Sequence, residues 1–330
     1  MAEVLPWQNS PDPRAVLARA VAALGEGRRV AFPTESTYVL AARAAAPAAG
    51  ETLAVSGLDQ AVALVPCMSV MGRRLARRCW PGPVTLQFPD APALCCPAHS
   101  AILHALHELG CPLAVTALGV TTAEEAARAA GESVDLVIDD GPCRFALGPT
   151  VVRVEGERWE VVQEGAVPPE QLRVQAATVL VFVCTGNTCR SPMAEALCRK
   201  RLAERLGCAP DDLPQRGLVI LSAGVSAYDG DQAAAPAVEI AREYGTDLSG
   251  HVSQHLDRHL AAQADHLVCM TAGHLQTLLA LFPQLGCEPR LLSPAGTDLP
   301  DPVGQDESVY RTCAAQIWQD LEPLVAQLAG

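Results

Sequence analysis

From residue 179 onward, short apolar runs alternate with helix-patterned segments, and this alternation restricts the fold more than any other feature of the chain. "VLVFVC" (179–184), "GLVILSAG" (217–224) and "ADHLVCMT" (264–271) read as strands, and the first is a continuous apolar run of the kind buried on both faces of a parallel sheet. "SPMAEALCRKRLAERLG" (191–207), "AAAPAVEIAREYG" (233–245) and the segment 302–330 read as helices. Ser191 is the expected cap of the first helix, Pro192 its first-turn proline and Gly207 its stop. Alternation of this kind predicts an open, doubly wound α/β sheet.

In such a sheet, ligands bind beyond the carboxyl ends of the strands. Cys184 stands at that end of the first strand, and Thr185, Gly186, Asn187, Thr188 and Cys189 lead to Arg190 and the helix. Backbone N–H groups of a loop entering a helix N-terminus suit a tetrahedral oxyanion. Arg190 adds a planar fork that matches two phosphate oxygens. A cysteine at a helix N-terminus beside an arginine favours the thiolate, and a thiolate under a bound phosphate is an in-line nucleophile. The leaving group then needs an acid. Asp301, in the proline-bounded turn "DLPDPVG" (298–304), is the candidate, with Asp298 as its competitor.

Composition sets the surroundings. With 330 residues, two domains are expected. A net charge of −13 argues against indiscriminate nucleic-acid or membrane binding. "MAEVLPWQNSPDP" has neither a basic start nor an apolar core, and no apolar run reaches about 18 residues, so neither a signal peptide nor a membrane span is expected. The thirteen cysteines, with no Cys-x-x-Cys pair among them, read as reduced thiols of a cytoplasmic protein.

Ahead of residue 179, 13–26 reads as an amphipathic helix, 28–33 and 134–142 as strands, and 150–167 as a hairpin. The proline-led "PPEQLRVQAAT" (168–178) marks the boundary. The expected domains are 1–170 and 179–330, with 171–178 as a linker.

The second domain resembles the low-molecular-weight protein phosphatase family. The resemblance rests on the Cys184–Ser191 loop, "SAG" (222–224), "DLSGH" (247–251) and Asp301-Pro302. It implies Cys184 as nucleophile, Arg190 as phosphate clamp and Asp301 as general acid, through a phosphocysteine intermediate and with no metal or cofactor. It also implies that Ser191 hydrogen-bonds the thiolate, that Asn187 holds the loop in a strained shape, and that Cys189 can form a reversible disulfide with Cys184. The string "CTGNTCRSPMAE" is similar to the protein-arginine-phosphatase branch, where phosphotyrosine members usually carry a larger apolar residue at the place of Thr188. Val303 offers no aromatic wall for a tyrosine ring. The expected substrate is therefore a phosphoarginine protein, with phosphotyrosine as the alternative. An arsenate reductase would need two closely spaced further cysteines, and Cys269 and Cys287 are too far apart.

The first domain resembles the threonylcarbamoyl-AMP synthase (YrdC-like) family, some members of which bind double-stranded RNA. "PTESTYVL" (33–40), "WPGPVTLQF" (80–88), "VDLVIDDGP" (134–142), "GPTVVRV" (148–154) and "VVQEGAV" (161–167) carry the likeness. It implies a twisted α/β sheet around a large cavity. The departures fall on functional positions. No basic residue occurs in 50–66, where the family has Lys-x-Arg for the triphosphate, and the chain's one lysine is Lys200. "ALG" (117–119) stands for the family's Ser-Ala-Asn, Pro149 for a serine and Gln163 for an arginine. This half is expected to be an inactive synthase, with RNA or nucleotide as a candidate partner. An accessory phosphatase on a tRNA-modifying or RNA-binding protein is the alternative for the whole chain.

Smaller signals have ordinary readings. Arg73, Arg74, Arg77 and Arg78 suggest a solvated helix face rather than an RNA-binding one. His251, His255 and His259 recur every four residues, as on one face of a helix, without a carboxylate to complete a metal site.

Overall fold

The computed structural model describes residues 2–7, 9–44 and 48–329, and it divides into two compact units, Met1–Ala176 and Ala177–Gly330.

The first unit is built on a ten-stranded mixed sheet. Its strands, in spatial order, are Glu3–Pro6, Leu136–Asp139, Val30–Phe32, Val39–Arg43, Leu113–Ala117, Thr52–Ala54, Ala93–Cys96, Gly82–Gln87, Thr150–Glu155 and Arg158–Gln163. The last two form the expected hairpin, which turns at Gly156 with a positive φ of 59°. The helix Pro13–Gly25 starts at Asp12, whose carboxylate accepts the N–H groups of Arg14 and Ala15 at 3.1 Å. It buries Leu17, Ala20 and Leu24 with Ile102 and Leu106 of the helix Ser100–Leu109.

The expected linker is structured. Pro169–Ala176 is a helix that buries Leu172 and Ala176 in a core with Leu75, Val84 and Val152. Its C-terminal carbonyls are held by two arginines of the helix Val70–Cys79. Arg74 donates to Ala176 O at 2.9 Å and Arg78 to Gln175 O at 2.8 Å. Cations at a helix C-terminus satisfy orphan carbonyls and oppose the dipole. Arg74, which the sequence suggests is solvated, is therefore buried.

The second unit is a four-stranded, all-parallel sheet in the order Leu218–Gly224, Thr178–Cys184, His266–Cys269, Arg290–Leu291. Side chains of the strand Thr178–Cys184 alternate between two cores. Leu180 and Phe182 join Met193, Leu197 and Ile317, while Val179, Val181 and Val183 join Leu256, Leu267 and Leu278. Both faces are covered, which is why the run is apolar throughout. The connections from Thr178–Cys184 and from its neighbour Leu218–Gly224 lead to strands on opposite sides of Thr178–Cys184. That reversal opens a crevice at its carboxyl end.

The three histidines do not share a helix. His259 lies in the short helix Arg258–Gln263, His255 forms a bridge with Gly224, and His251 lies in a loop. Among the described residues, no group of three or more His, Cys, Asp and Glu side chains is placed to hold a metal ion. No described helix is long and apolar enough to cross a membrane.

Candidate functional site

The strand Thr178–Cys184 ends at Cys184, and the chain then closes a tight loop before the helix Arg190–Leu206 begins. The residue at the helix entrance is Cys189, which makes no side-chain cap bond. Ser191 lies inside the first turn rather than capping it. Its Oγ is 2.9 Å from Cys184 Sγ.

The loop's carbonyls are held from outside. Val225 N donates to Cys184 O at 2.9 Å, Ser226 N to Thr185 O at 3.0 Å and Ala234 N to Thr188 O at 2.9 Å. His251 Nε2 bonds Asn187 O at 2.8 Å. A planar trans peptide points its N–H opposite its C=O. The amides of Thr185, Gly186, Thr188 and Cys189 are thereby turned toward the concave side, and the Asn187 amide donates to Cys184 Sγ at 3.2 Å. The loop is a bowl of amide donors over a sulfur, at the head of a helix.

Asn187 holds this shape. It is fully buried with φ of 55°, a left-handed conformation that asparagine tolerates better than most residues. Its side-chain amide donates to Ser191 Oγ and to Ser222 Oγ, each at 2.9 Å, and its Oδ1 accepts Gln254 N at 2.9 Å. Because Ser191 accepts from Asn187, its hydroxyl proton has two acceptors in reach, Cys184 Sγ at 2.9 Å and Ala223 O at 3.4 Å. Ser222 in turn donates to Glu195 Oε2 at 2.7 Å. Burial pushes the Glu195 carboxyl above its ordinary range, with the Ser222 hydrogen bond opposing the shift. Gly224 makes the close approach feasible, since a Cβ there would stand 2.4 Å from Thr185 O.

Arg190 is buried, and its Nη2 donates to Asp301 Oδ2 at 2.7 Å. Asp301 Oδ1 also accepts Val303 N at 3.2 Å. Asp298 is committed elsewhere, accepting Ala272 N at 2.7 Å at the start of the helix Ala272–Leu281. Of the two carboxylates in the turn, Asp301 is the one that meets the arginine.

Two partners give no signal in the local sequence pattern. His274 Nε2 is 2.8 Å from Thr185 Oγ1, and its Nδ1 is 2.8 Å from Thr271 Oγ1. Burial, and then the nearby Arg190 guanidinium, push the imidazole down to about 4, so it is neutral. Tyr310 OH lies 3.4 Å from Cys189 Sγ, and burial drives the phenol upward. Both residues reach the bowl across long sequence separations.

Residues 179–330 match the family described as low molecular weight phosphotyrosine protein phosphatase. The protein-arginine-phosphatase of Geobacillus stearothermophilus is 34% identical over 154 residues, which cover 46% of this chain and 93% of the relative. The chain belongs to the low molecular weight protein phosphatase family. The protein-arginine-phosphatase of Bacillus subtilis is 38% identical, with the same coverage. The low molecular weight protein-tyrosine-phosphatase Etp of Escherichia coli K12 is 29% identical over 133 residues, covering 40% of this chain and 81% of that one. Among solved structures, a YwlE mutant from Bacillus subtilis is 34% identical with a TM-score of 0.41, covering 47% of this chain and all of that one. Residues 52–165 match the Sua5/YciO/YrdC family, described as telomere recombination.

In this YrdC-like unit, Thr34, Ser36, Thr37 and Tyr38 are buried. Thr34 Oγ1 accepts the N–H groups of Ser36 and Thr37 at 3.1 Å. Thr37 Oγ1 is buried without a hydrogen-bond partner among the described residues. Gln163 Nε2 lies 3.9 Å from the place a Cβ would take on Gly148, the residue before Pro149. The region 50–66 forms the strand Thr52–Ala54 and the helix Leu58–Leu64, with no basic side chain on either.

Proposed function

We propose that the second unit hydrolyses phosphoarginine in proteins through a phosphocysteine on Cys184. The observation that carries this reading is the position of Cys184 Sγ at the floor of the amide bowl, within reach of the Ser191 hydroxyl and the Asn187 amide. Three equatorial oxygens of a phosphoryl group would sit on the loop amides of Thr185, Gly186, Thr188 and Cys189 and on the Arg190 fork. The thiolate attacks phosphorus in line, the P–N bond breaks, and Asp301 gives its proton to the departing guanidine nitrogen. Water then attacks the thiophosphate with Asp301 taking its proton. The S–P bond breaks, phosphate leaves and the thiolate returns.

Two observations favour phosphoarginine. The matched relatives named for arginine phosphatase activity are 34% and 38% identical. Thr188 is half-buried on the bowl, and Val303, beside the acid, is exposed and gives no aromatic wall. Phosphotyrosine is the second reading. Tyr228 favours it: it is 82% exposed in the segment just after Ser226, whose N–H is bonded to the bowl, and an aromatic near the rim can stack on a phenol ring.

The test is kcat/KM on a phosphoarginine protein and on a phosphotyrosine peptide, side by side, with Thr188→Ile and Cys184→Ser. A strong phosphoarginine preference that Thr188→Ile erodes supports the reading. Preference for phosphotyrosine would overturn the substrate assignment, and activity in Cys184→Ser would overturn the mechanism.

The first unit we read as an inactive synthase, because the triphosphate side lacks any cation in 50–66 and carries Gln163 in place of arginine. Polyphosphate chemistry depends on such charges. Robust threonylcarbamoyl-AMP formation from ATP, bicarbonate and threonine would sink this. Double-stranded RNA retained on a filter would favour the RNA-binding alternative instead.

A further inference from the structure

Thr185 is the one exposed residue of the loop 184–190. Its carbonyl accepts Ser226 N at 3.0 Å, which turns its amide toward the bowl. Its side chain is held separately. Thr185 Oγ1 lies 2.8 Å from His274 Nε2 and makes no other hydrogen bond among the described residues.

The partner is itself fixed. His274 is buried, in the first turn of the helix Ala272–Leu281. Its Nδ1 is 2.8 Å from Thr271 Oγ1, which also accepts the His274 N–H at 3.2 Å as the cap of that helix. The same short segment holds the turn that carries Asp301. Leu299 N donates to Met270 O at 3.0 Å, and Ala272 N donates to Asp298 Oδ1 at 2.7 Å. Residues 270–274 therefore bridge the Cys184 loop and the turn 298–304. The charges of Arg190 and Asp301 both act on the imidazole, so the contact between Thr185 and His274 lies on the side of the bowl where Asp301 stands.

Either arrangement of the imidazole proton leaves Thr185 Oγ1 able to accept. If Nε2 carries the proton, it fills one lone pair of the hydroxyl and the other stays open. If Nε2 is bare, the hydroxyl gives its proton to the ring and both lone pairs stay open. The bond also selects one staggered position for Oγ1 on a stiff, β-branched side chain. The two candidate leaving groups differ at this point. A departing guanidine presents several N–H donors, whereas the bridging oxygen of a tyrosine phosphate presents lone pairs and no proton. The acceptor on Thr185 is present in both arrangements and a free hydroxyl proton in only one, so the site favours the guanidine.

We infer that Thr185 is a specificity-determining residue, whose Oγ1, aimed by His274, accepts an N–H of the guanidine that leaves from phosphoarginine. The inference rests on the phosphoarginine reading of the Cys184 loop and adds a selector to it, distinct from Thr188. His274 touches no substrate and acts through Thr185, as a positioning residue.

The test is kcat/KM of the full-length chain on a phosphoarginine protein and on a phosphotyrosine peptide, for Thr185→Val, Thr185→Ser and His274→Ala. Thr185→Val keeps the branched shape and removes the hydroxyl. It is expected to lower the phosphoarginine value about tenfold, the effect of one lost hydrogen bond to a charged group, and to leave the phosphotyrosine value within about twofold. Thr185→Ser is expected to restore most of the ratio between the two substrates. His274→Ala is expected to lower that ratio by about threefold, since an unpinned hydroxyl still accepts in part of its rotamers.

Equal losses on both substrates in Thr185→Val would make Thr185 a structural part of the loop and overturn the inference. So would an unchanged ratio, or a serine variant that behaves like the valine one. A phosphoarginine preference that Thr188→Ile erodes and Thr185→Val leaves intact removes Thr185 as a selector while the substrate reading stands. A chain that turns over only phosphotyrosine refutes the substrate reading, and this inference with it.

Discussion

Arg190 and Asp301 meet at 2.7 Å across 111 residues of chain, with the arginine side chain 6% exposed and the carboxylate 54% exposed. The two sides of this pair therefore have different freedoms. The guanidinium is fixed in the bowl, while the carboxylate stands at the mouth. On the mechanism proposed above, a phosphoryl group entering the bowl would compete for the same fork and displace the more exposed partner. Asp301 would then be released toward the leaving group, where that mechanism needs a general acid.

Asp301→Asn separates these roles. The variant keeps the shape of the turn and removes the proton donor. We expect kcat on a phosphorylated protein to fall by about 10²–10⁴-fold. The inhibition constant of vanadate should not weaken, since the oxyanion no longer competes with a carboxylate. A much weaker vanadate constant would mean that Asp301 positions Arg190 rather than acting as an acid.

The loop's shape depends on Asn187. Asn187→Ala removes buried hydrogen bonds and places alanine at a φ of 55°. A loss of about 2–4 kcal/mol is expected in denaturant unfolding. Asn187→Gly relieves only the backbone part, so it should recover roughly 1 kcal/mol without restoring activity. Equal stability of the two variants would show that the left-handed residue carries no strain.

How much of this was legible beforehand divides along sequence distance. Cys184, Arg190 and the strand-to-helix turn could be read locally, because the strand's burial on both faces writes itself as an apolar run. The proline-bounded turn offers both Asp301 and Asp298, the family resemblance adds weight to Asp301, and the structure brings Asp301 to Arg190. Ser191 was misread as a cap, because capping and bonding a thiolate call for the same small hydroxyl. His274, Tyr310 and Glu195 were invisible, since each reaches the loop from another element of the fold and none sits in a distinctive spacing. The linker was misread for the same reason. The carbonyls of Pro169–Ala176 are capped by Arg74 and Arg78, about a hundred residues earlier.

Gly224→Ala tests the close approach of the neighbouring strand. A Cβ at 2.4 Å from Thr185 O must push the loop away. Displacement of about 1 Å in a catalytic group costs roughly 10²-fold. We expect that loss in kcat/KM, with little change in the far-ultraviolet circular dichroism. Full activity would mean that the strand moves instead of the loop.

His274 gives the acid limb of stability a defined cause. It is buried and neutral, with its imidazole pushed down to about 4 by burial and by Arg190, against the opposing pull of Asp301 and Asp298. The unfolded chain protonates this histidine near 6.5, so between there and about 4 the unfolded state binds more protons. Stability should therefore be complete above the unfolded value and fall as pH drops through this window, by up to roughly 3 kcal/mol. The difference between the unaltered chain and His274→Asn, measured by denaturant titration at several pH values, isolates this residue. A difference that does not change with pH would refute it.

The helix Pro169–Ala176 sets where this protein can be divided. Only Ala177 separates its last residue from the strand that begins at Thr178. A recombination event, natural or in the laboratory, that joined or exchanged the halves at residue 170 would carry that helix away with the wrong partner. It would strand the buried Arg74 and the half-buried Arg78 without their carbonyls and uncover Leu75 and Val84. The seam that leaves both halves whole is one residue wide, so inheritance of the two modules as interchangeable parts requires a crossover at one side or the other of Ala177.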